Sequence, residues 1–161
     1  LKKILLSLLL LSSISIADSY IFLPIGFAWH DPNENVNGRK YDTVIEGTGY
    51  QYRYVDDKIN YSGTVMAIMD SNSKFMPSAT VGISYNALYN INIGLEVGIA
   101  SRIGHVMNYE TMELIRYHRR TIGFVMPKAE IDFGKIMVNI AYIPRFRNVP
   151  QAVYINFGIK I

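Results

Sequence analysis

The chain predicts an all-β fold, an eight-stranded antiparallel up-and-down transmembrane β-barrel. Three observations carry this reading. Segments of strict two-residue alternation recur along the chain, and the connections between segments alternate between short and long. The composition combines twelve Tyr and twelve Gly with abundant Ile and Val. β-Branched and aromatic residues favour strands, and Gly inside strands marks close packing within a barrel.

Residues 1–17 stand apart from the fold. Lys2 and Lys3 precede a Leu- and Ser-rich apolar run from Ile4 to Ile16, and Ser15-Ile16-Ala17 supplies small residues for cleavage. This reads as a secretory signal peptide. The expected mature chain begins near Asp18 and forms one domain over 18–161. Losing Lys2 and Lys3 lowers the formal charge from +3 to +1, which excludes a nucleic-acid footprint. With no Cys, there is neither a disulfide framework nor a residue for a lipid anchor.

Eight strands follow in order. The first three, at 20–30, 44–55 and 59–69, alternate irregularly. At 78–85, Ala79, Val81, Ile83 and Tyr85 alternate with Ser78, Thr80, Gly82 and Ser84. At 91–100, Ile91, Ile93, Leu95, Val97 and Ile99 alternate with Asn92, Gly94, Glu96, Gly98 and Ala100. Segment 121–132 is again irregular. Segment 135–142 sets Ile136, Val138, Ile140 and Tyr142 against Lys135, Met137, Asn139 and Ala141. The last strand, 153–161, sets Val153, Ile155, Phe157, Ile159 and Ile161 against Tyr154, Asn156, Gly158 and Lys160. Period two separates one face from the other.

Asp56-Asp57-Lys58, 87–90 and Phe133-Gly134-Lys135 read as tight turns, whereas 31–43, 70–76, 103–120 and 144–151 read as long polar loops. Short turns at one end and long loops at the other characterise outer-membrane barrels. A soluble eight-stranded carrier barrel would show the same alternation. Large apolar residues would then have to fill a narrow interior, whereas lipid outside accepts them and leaves small or polar residues within. Tyr50, Tyr52, Tyr54, Tyr85 and Tyr142 suit interfacial girdles.

With both termini on the periplasmic side, odd strands run outward. His30, Asp70, Ser71 and Arg102 then fall on the long-loop rim, with Arg116, His118, Arg119 and Arg120 in the longest loop and Arg145 and Arg147 in the last. Such cations suit phosphate recognition, and equally an ordinary solvated loop. A His, a Ser and an acid suit a nucleophile, base and orienting group. Asp-Ser-Asn-Ser is also turn chemistry in its own right, and no Gly-x-Ser-x-Gly elbow is present. The histidines lack metal-ligand spacing and no nucleotide motif occurs, so neither a metal nor another cofactor is expected.

Three segments carry a family resemblance: Pro24 to His30 ending Ala-Trp-His, Met66 to Pro77 containing Asp-Ser-Asn-Ser-Lys, and Ala141-Tyr142-Ile143-Pro144. Together they resemble PagP, the outer-membrane lipid A palmitoyltransferase family. The resemblance implies a monomeric, membrane-embedded barrel in the outer membrane of a Gram-negative cell. It would move an acyl chain, palmitoyl-like, from a phospholipid donor to a hydroxyl of lipid A. His30, Asp70 and Ser71 match the family's catalytic positions. Gly82 matches the Gly of the acyl pocket, Arg102 a rim Arg, and Pro144 a site of lateral lipid access.

The chain departs from the pattern at several points. No amphipathic helix separates the expected cleavage site from the first strand, Asn72 replaces an aromatic after Asp70-Ser71, and Pro24 is displaced by one residue. A non-catalytic structural or lipid-binding barrel is the alternative.

Overall fold

A computed structural model describes residues 17–31, 40–71, 73–108, 113–144 and 151–161, with 104–108 and 113–117 described through their backbone alone. Residues 1–16 of the expected signal peptide, Asn72, Arg145 and Arg147 lie outside the described residues, as does the side chain of Arg116. Alternating residues between turn formers give nine strands. They are β1 (Ala17–Phe22), β2 (Ile25–Asp31), β3 (Val44–Asp56), β4 (Ile59–Met69) and β5 (Phe75–Leu88). β6 (Ile91–Asn108), β7 (Glu113–Phe133), β8 (Ile136–Ile143) and β9 (Gln151–Lys160) complete the sheet.

Each strand pairs antiparallel with its neighbours, and both β1 and β2 pair with β3 on one side and β9 on the other. β1 and β2 are therefore one stave broken at Leu23-Pro24, and the sheet closes as a barrel of eight staves. Against β3 the register runs unbroken from Phe22↔Gly49 to Ile25↔Glu46. Against β9 it slips, so residues 23–26 face only Asn156 and Phe157 between Phe22↔Gly158 and Phe27↔Ile155. Proline lacks a ladder donor and is tolerated at such a bulge.

Tight turns close one end. The β3–β4 turn holds Asp57 at φ 52° and the β7–β8 turn holds Gly134 at φ 75°. A left-handed residue suits a two-residue hairpin, and Gly134 meets that need without steric cost. At the other end the expected 103–120 loop is corrected. β6 and β7 continue as a hairpin, paired from Arg102↔Arg120 to Asn108↔Glu113. Backbone pairing persists there although the apolar alternation stops, because only lipid-facing strands need an apolar face.

The outward face is apolar. Ile93, Leu95, Val97 and Ile99 on β6 are all exposed, as are Val81 and Ile83 on β5. A contiguous belt of this kind is incompatible with water and matches a bilayer. The inward face departs from the simple small-and-polar expectation. On β4 it reads Asn60, Ser62, Thr64, then Met66, Ile68. On β7 it reads Asp132, Glu130, Lys128, then Met126, Phe124, Ile122, with their neighbours exposed or outward. Both strands change from polar to apolar partway up, which is why their sequences alternate irregularly.

Candidate active site at the barrel rim

The polar half of the interior is a closed ion network. Arg53 bridges Asp18 at 3.0 Å and Asp132 at 2.9 Å, and its guanidinium also lies over the Tyr20 ring. One layer further in, Lys128 Nζ donates to Glu96 Oε1 and Glu130 Oε1, each at 2.9 Å, and to Ser62 Oγ at 3.1 Å. Gln51 Nε2 donates to Glu130 Oε1 at 2.8 Å. Buried charges persist only when paired and hydrogen-bonded in this way.

Above this layer lies a cavity of about 1250 Å³. Thr64 and Glu96 mark its closed end, Met66, Ile68, Met76, Phe124 and Met126 line it, and His30, Ser71 and Arg102 stand at its mouth. Gly82 is absent from this lining. It sits one layer lower, paired with Ser62 and Glu96, where a Cβ would lie 2.7 Å from Ser62 Oγ and 2.8 Å from Glu96 Cγ. A missing side chain there leaves room for Lys128 to reach Ser62.

The cavity also meets a break in the wall. Among the described residues the β7–β8 ladder stops at Lys128↔Ala141, next to Pro127, whereas β8 stays paired with β9 up to Ile143↔Ala152. Pro127 has no N–H to continue the ladder. Pro144 lines the cavity beside this unpaired stretch.

The rim is assembled by a strand that ends early. β3 begins only at Val44, so the tops of β2 and β4 have no strand between them, and His30 and Ser71 meet across the space. His30 Nε2 and Ser71 Oγ are hydrogen-bonded at 3.0 Å. The segment before β3 docks on the β4–β5 turn, where Asp42 N donates to Ser71 O at 2.9 Å. This places Tyr41 flat against His30, ring centroids 4.4 Å apart and planes 19° apart. Burial pushes the Tyr41 phenol above its ordinary value. Tyr154 meets His30 edge-on at 6.2 Å and faces Ser71 with its phenol.

Asp70 has a different set of partners. Its Oδ2 accepts from Arg102 Nε at 3.3 Å and its Oδ1 from the Lys74 amide at 3.0 Å. Among the described residues no hydrogen bond joins it to His30. The sequence-predicted trio is thus one hydrogen-bonded pair, His30–Ser71, with the adjacent Asp70 holding the turn and Arg102. Ser71 and Asp70 are both buried. Sequence reasoning missed Tyr41, Tyr154 and Pro127. Tyr154 was visible as part of the mixed face of the last strand, whereas nothing in the loop sequence marked Tyr41. Among the described residues no group of three His, Asp or Glu side chains could hold a metal ion.

Fold and rim together define a class: a closed transmembrane β-barrel whose apolar interior opens beneath a hydrogen-bonded Ser–His pair. The model of the family described as "Antimicrobial peptide resistance and lipid A acylation protein PagP" matches residues 13–158. The chain belongs to the PagP family. No curated protein matches the sequence significantly. Among solved structures, the attachment invasion locus protein Ail of Yersinia pestis is similar in its crystal form at 11% identity and TM-score 0.54, covering 90% of this chain and 97% of that one. The N-terminal β-barrel domain of Pseudomonas aeruginosa OprF is similar at 7% identity and TM-score 0.50, covering 91% and 98%. These likenesses concern the fold.

Proposed function

We propose that the protein is an outer-membrane acyltransferase that moves a palmitoyl-like chain from a phospholipid to a hydroxyl of lipid A. The observation that carries this is the 3.0 Å His30–Ser71 pair at the mouth of an apolar cavity closed at its far end. Family membership supports the reaction class. The donor's chain lies in the cavity, so its ester carbonyl reaches the rim. The unpaired stretch between β7 and β8, flanked by Pro127 and Pro144, is the lateral route from the bilayer.

His30 takes the proton of the attacking hydroxyl, either that of the acceptor directly or that of Ser71 in a two-step transfer. In the direct route the new ester C–O bond forms as the donor's ester C–O bond breaks, and the proton returns to the departing glycerol oxygen. In the two-step route that exchange first leaves the acyl group on Ser71 Oγ. The acceptor hydroxyl then forms its ester as the Ser71 ester bond breaks, its proton passing through His30 back to Ser71 Oγ. Tyr41 and Tyr154 fix the imidazole between them. Asp70 supplies negative charge beside the site and orients Arg102. Gly82 acts beneath the floor by letting the Lys128 layer form. The expected monomer and the removal of residues 1–17 belong to the same reading.

A second reading, a non-catalytic lipid-binding barrel, is favoured by Asp70 accepting from Arg102 Nε and the Lys74 amide, contacts that hold the turn and the rim. Mass spectrometry of lipid A from a Gram-negative host expressing the protein separates the two. An added acyl mass that disappears with His30→Ala and with Ser71→Ala is expected. Acylation surviving both substitutions would remove the pair from the reaction, and no added mass with correctly folded wild-type protein would favour the binding barrel.

A further inference from the structure

Arg102 and Arg120 lie directly opposite each other on β6 and β7, and both line the cavity mouth. Like charges in opposed cross-strand positions destabilise a sheet. Asp70 offsets one of them, through Arg102 Nε. Arg120 has no ion-pair or hydrogen-bonded partner among the described residues. The neighbouring Arg119 takes no part, since it donates to Ser101 on the other face. Two guanidinium groups therefore meet one carboxylate, and the surplus positive charge borders the cavity.

We propose that Arg102 and Arg120 form a phosphate site, and that it holds the phosphate of a lipid headgroup whose chain occupies the cavity. Guanidinium groups suit phosphate oxygens because their planar donors bind two oxygens at once. The lipid assignment comes from what lies beneath. The walls are Met66, Ile68, Phe124 and Met126, and Lys128 with Glu96 closes the far end. A chain filling this space leaves its polar head at the mouth. This step rests on the reading that the cavity takes a hydrocarbon chain.

The test is calorimetric titration of the full-length barrel, refolded in octyl glucoside, with dodecyl phosphate, inorganic phosphate or dodecyl maltoside. Arg120→Gln is expected to weaken dodecyl phosphate binding by about tenfold, the loss of one charge-assisted contact at a solvent-accessible mouth. Arg119→Gln should leave it unchanged, and dodecyl maltoside should bind both variants as it binds the wild type. Equal losses in Arg119→Gln and Arg120→Gln would mean bulk charge attraction and would overturn the site. Wild-type affinity in Arg120→Gln would do the same. Inorganic phosphate binding as tightly as dodecyl phosphate would overturn the lipid assignment. Ala100→Phe, which fills the cavity, tests the premise separately, because unaltered dodecyl phosphate affinity there would take the chain out of the cavity. No turnover is measured, so a missing acyltransferase activity leaves these outcomes intact.

Discussion

Lys128→Met should destabilise the barrel far more than its loss of one side-chain charge suggests. Lys128 is fully buried and neutralises two carboxylates at once, Glu96 and Glu130, each at 2.9 Å. Without it, Glu130 keeps Gln51 Nε2 at 2.8 Å and Arg53 Nη1 at 3.6 Å. Glu96 keeps only the Thr64 hydroxyl at 3.5 Å among its described partners. Stranding one buried charge costs about 3–5 kcal/mol, and most of that cost falls on Glu96. Adding Glu96→Gln removes the stranded charge while preserving an acceptor for Thr64. The double variant should then recover about half of the loss or more. Denaturant unfolding of the refolded barrel in micelles, followed by far-UV circular dichroism, gives both values. A single variant within about 1 kcal/mol of wild type, or a double variant no better than the single, would refute the idea that Lys128 holds the floor by charge pairing.

Three further substitutions probe the site. Tyr41→Leu removes the ring stacked 4.4 Å from His30, a contact of about 0.5–1.5 kcal/mol, so acyl transfer should fall about three- to tenfold while Tyr41→Phe stays near wild type. Equal loss in both variants, by lipid A mass spectrometry, would point to the hydroxyl instead of the ring. Gly82→Met meets Ser62 Oγ and Glu96 Cγ and raises the floor, so shorter donor chains should be preferred, each excluded CH₂ being worth about 0.8 kcal/mol. An unchanged chain-length profile in defined donor lipids would take Gly82 out of specificity. Pro127→Ala supplies the missing N–H beside Lys128↔Ala141, so the β7–β8 ladder should lengthen and transfer from bilayer-borne donors should slow. Amide hydrogen exchange across 122–127 checks the first effect, and wild-type transfer rates despite new protection would exclude that route.

The barrel was legible in the sequence wherever lipid dictates one face. On β6, Ile93, Leu95, Val97 and Ile99 alternate with smaller and polar residues, and all four are exposed. The tight turns were readable for the same local reason, since Gly134 stands where the backbone needs a left-handed residue. The 103–120 segment was misread because alternation reports on the solvent around a strand and not on its hydrogen bonds. Beyond the lipid, Arg102↔Arg120 and Ile103↔Arg119 pair without an apolar face to announce them. The site was half legible. His30 and Ser71 are 41 residues apart, and only the early end of β3 brings them to 3.0 Å. Tyr41 reaches His30 through the docking of Asp42 on Ser71, a tertiary contact that no periodicity encodes.

The irregular strands turn out to be the most informative about function. A stave facing lipid on one side and a filled polar interior on the other must alternate cleanly. One that faces lipid outside and lines the cavity with large apolar side chains carries them on both faces and loses its period. On β4 the inward residues pass from Thr64 to Met66, and on β7 from Lys128 to Met126. Both transitions fall beside the layer where Ser62, Glu96 and Lys128 interlock. β5 and β6 line the same cavity with small residues, Ser78, Thr80, Gly98 and Ala100, and keep their period. The loss of alternation in 59–69 and 121–132 therefore marks the parts of the cavity wall built from large apolar side chains, and the residue at which each of these strands turns polar marks the cavity's floor.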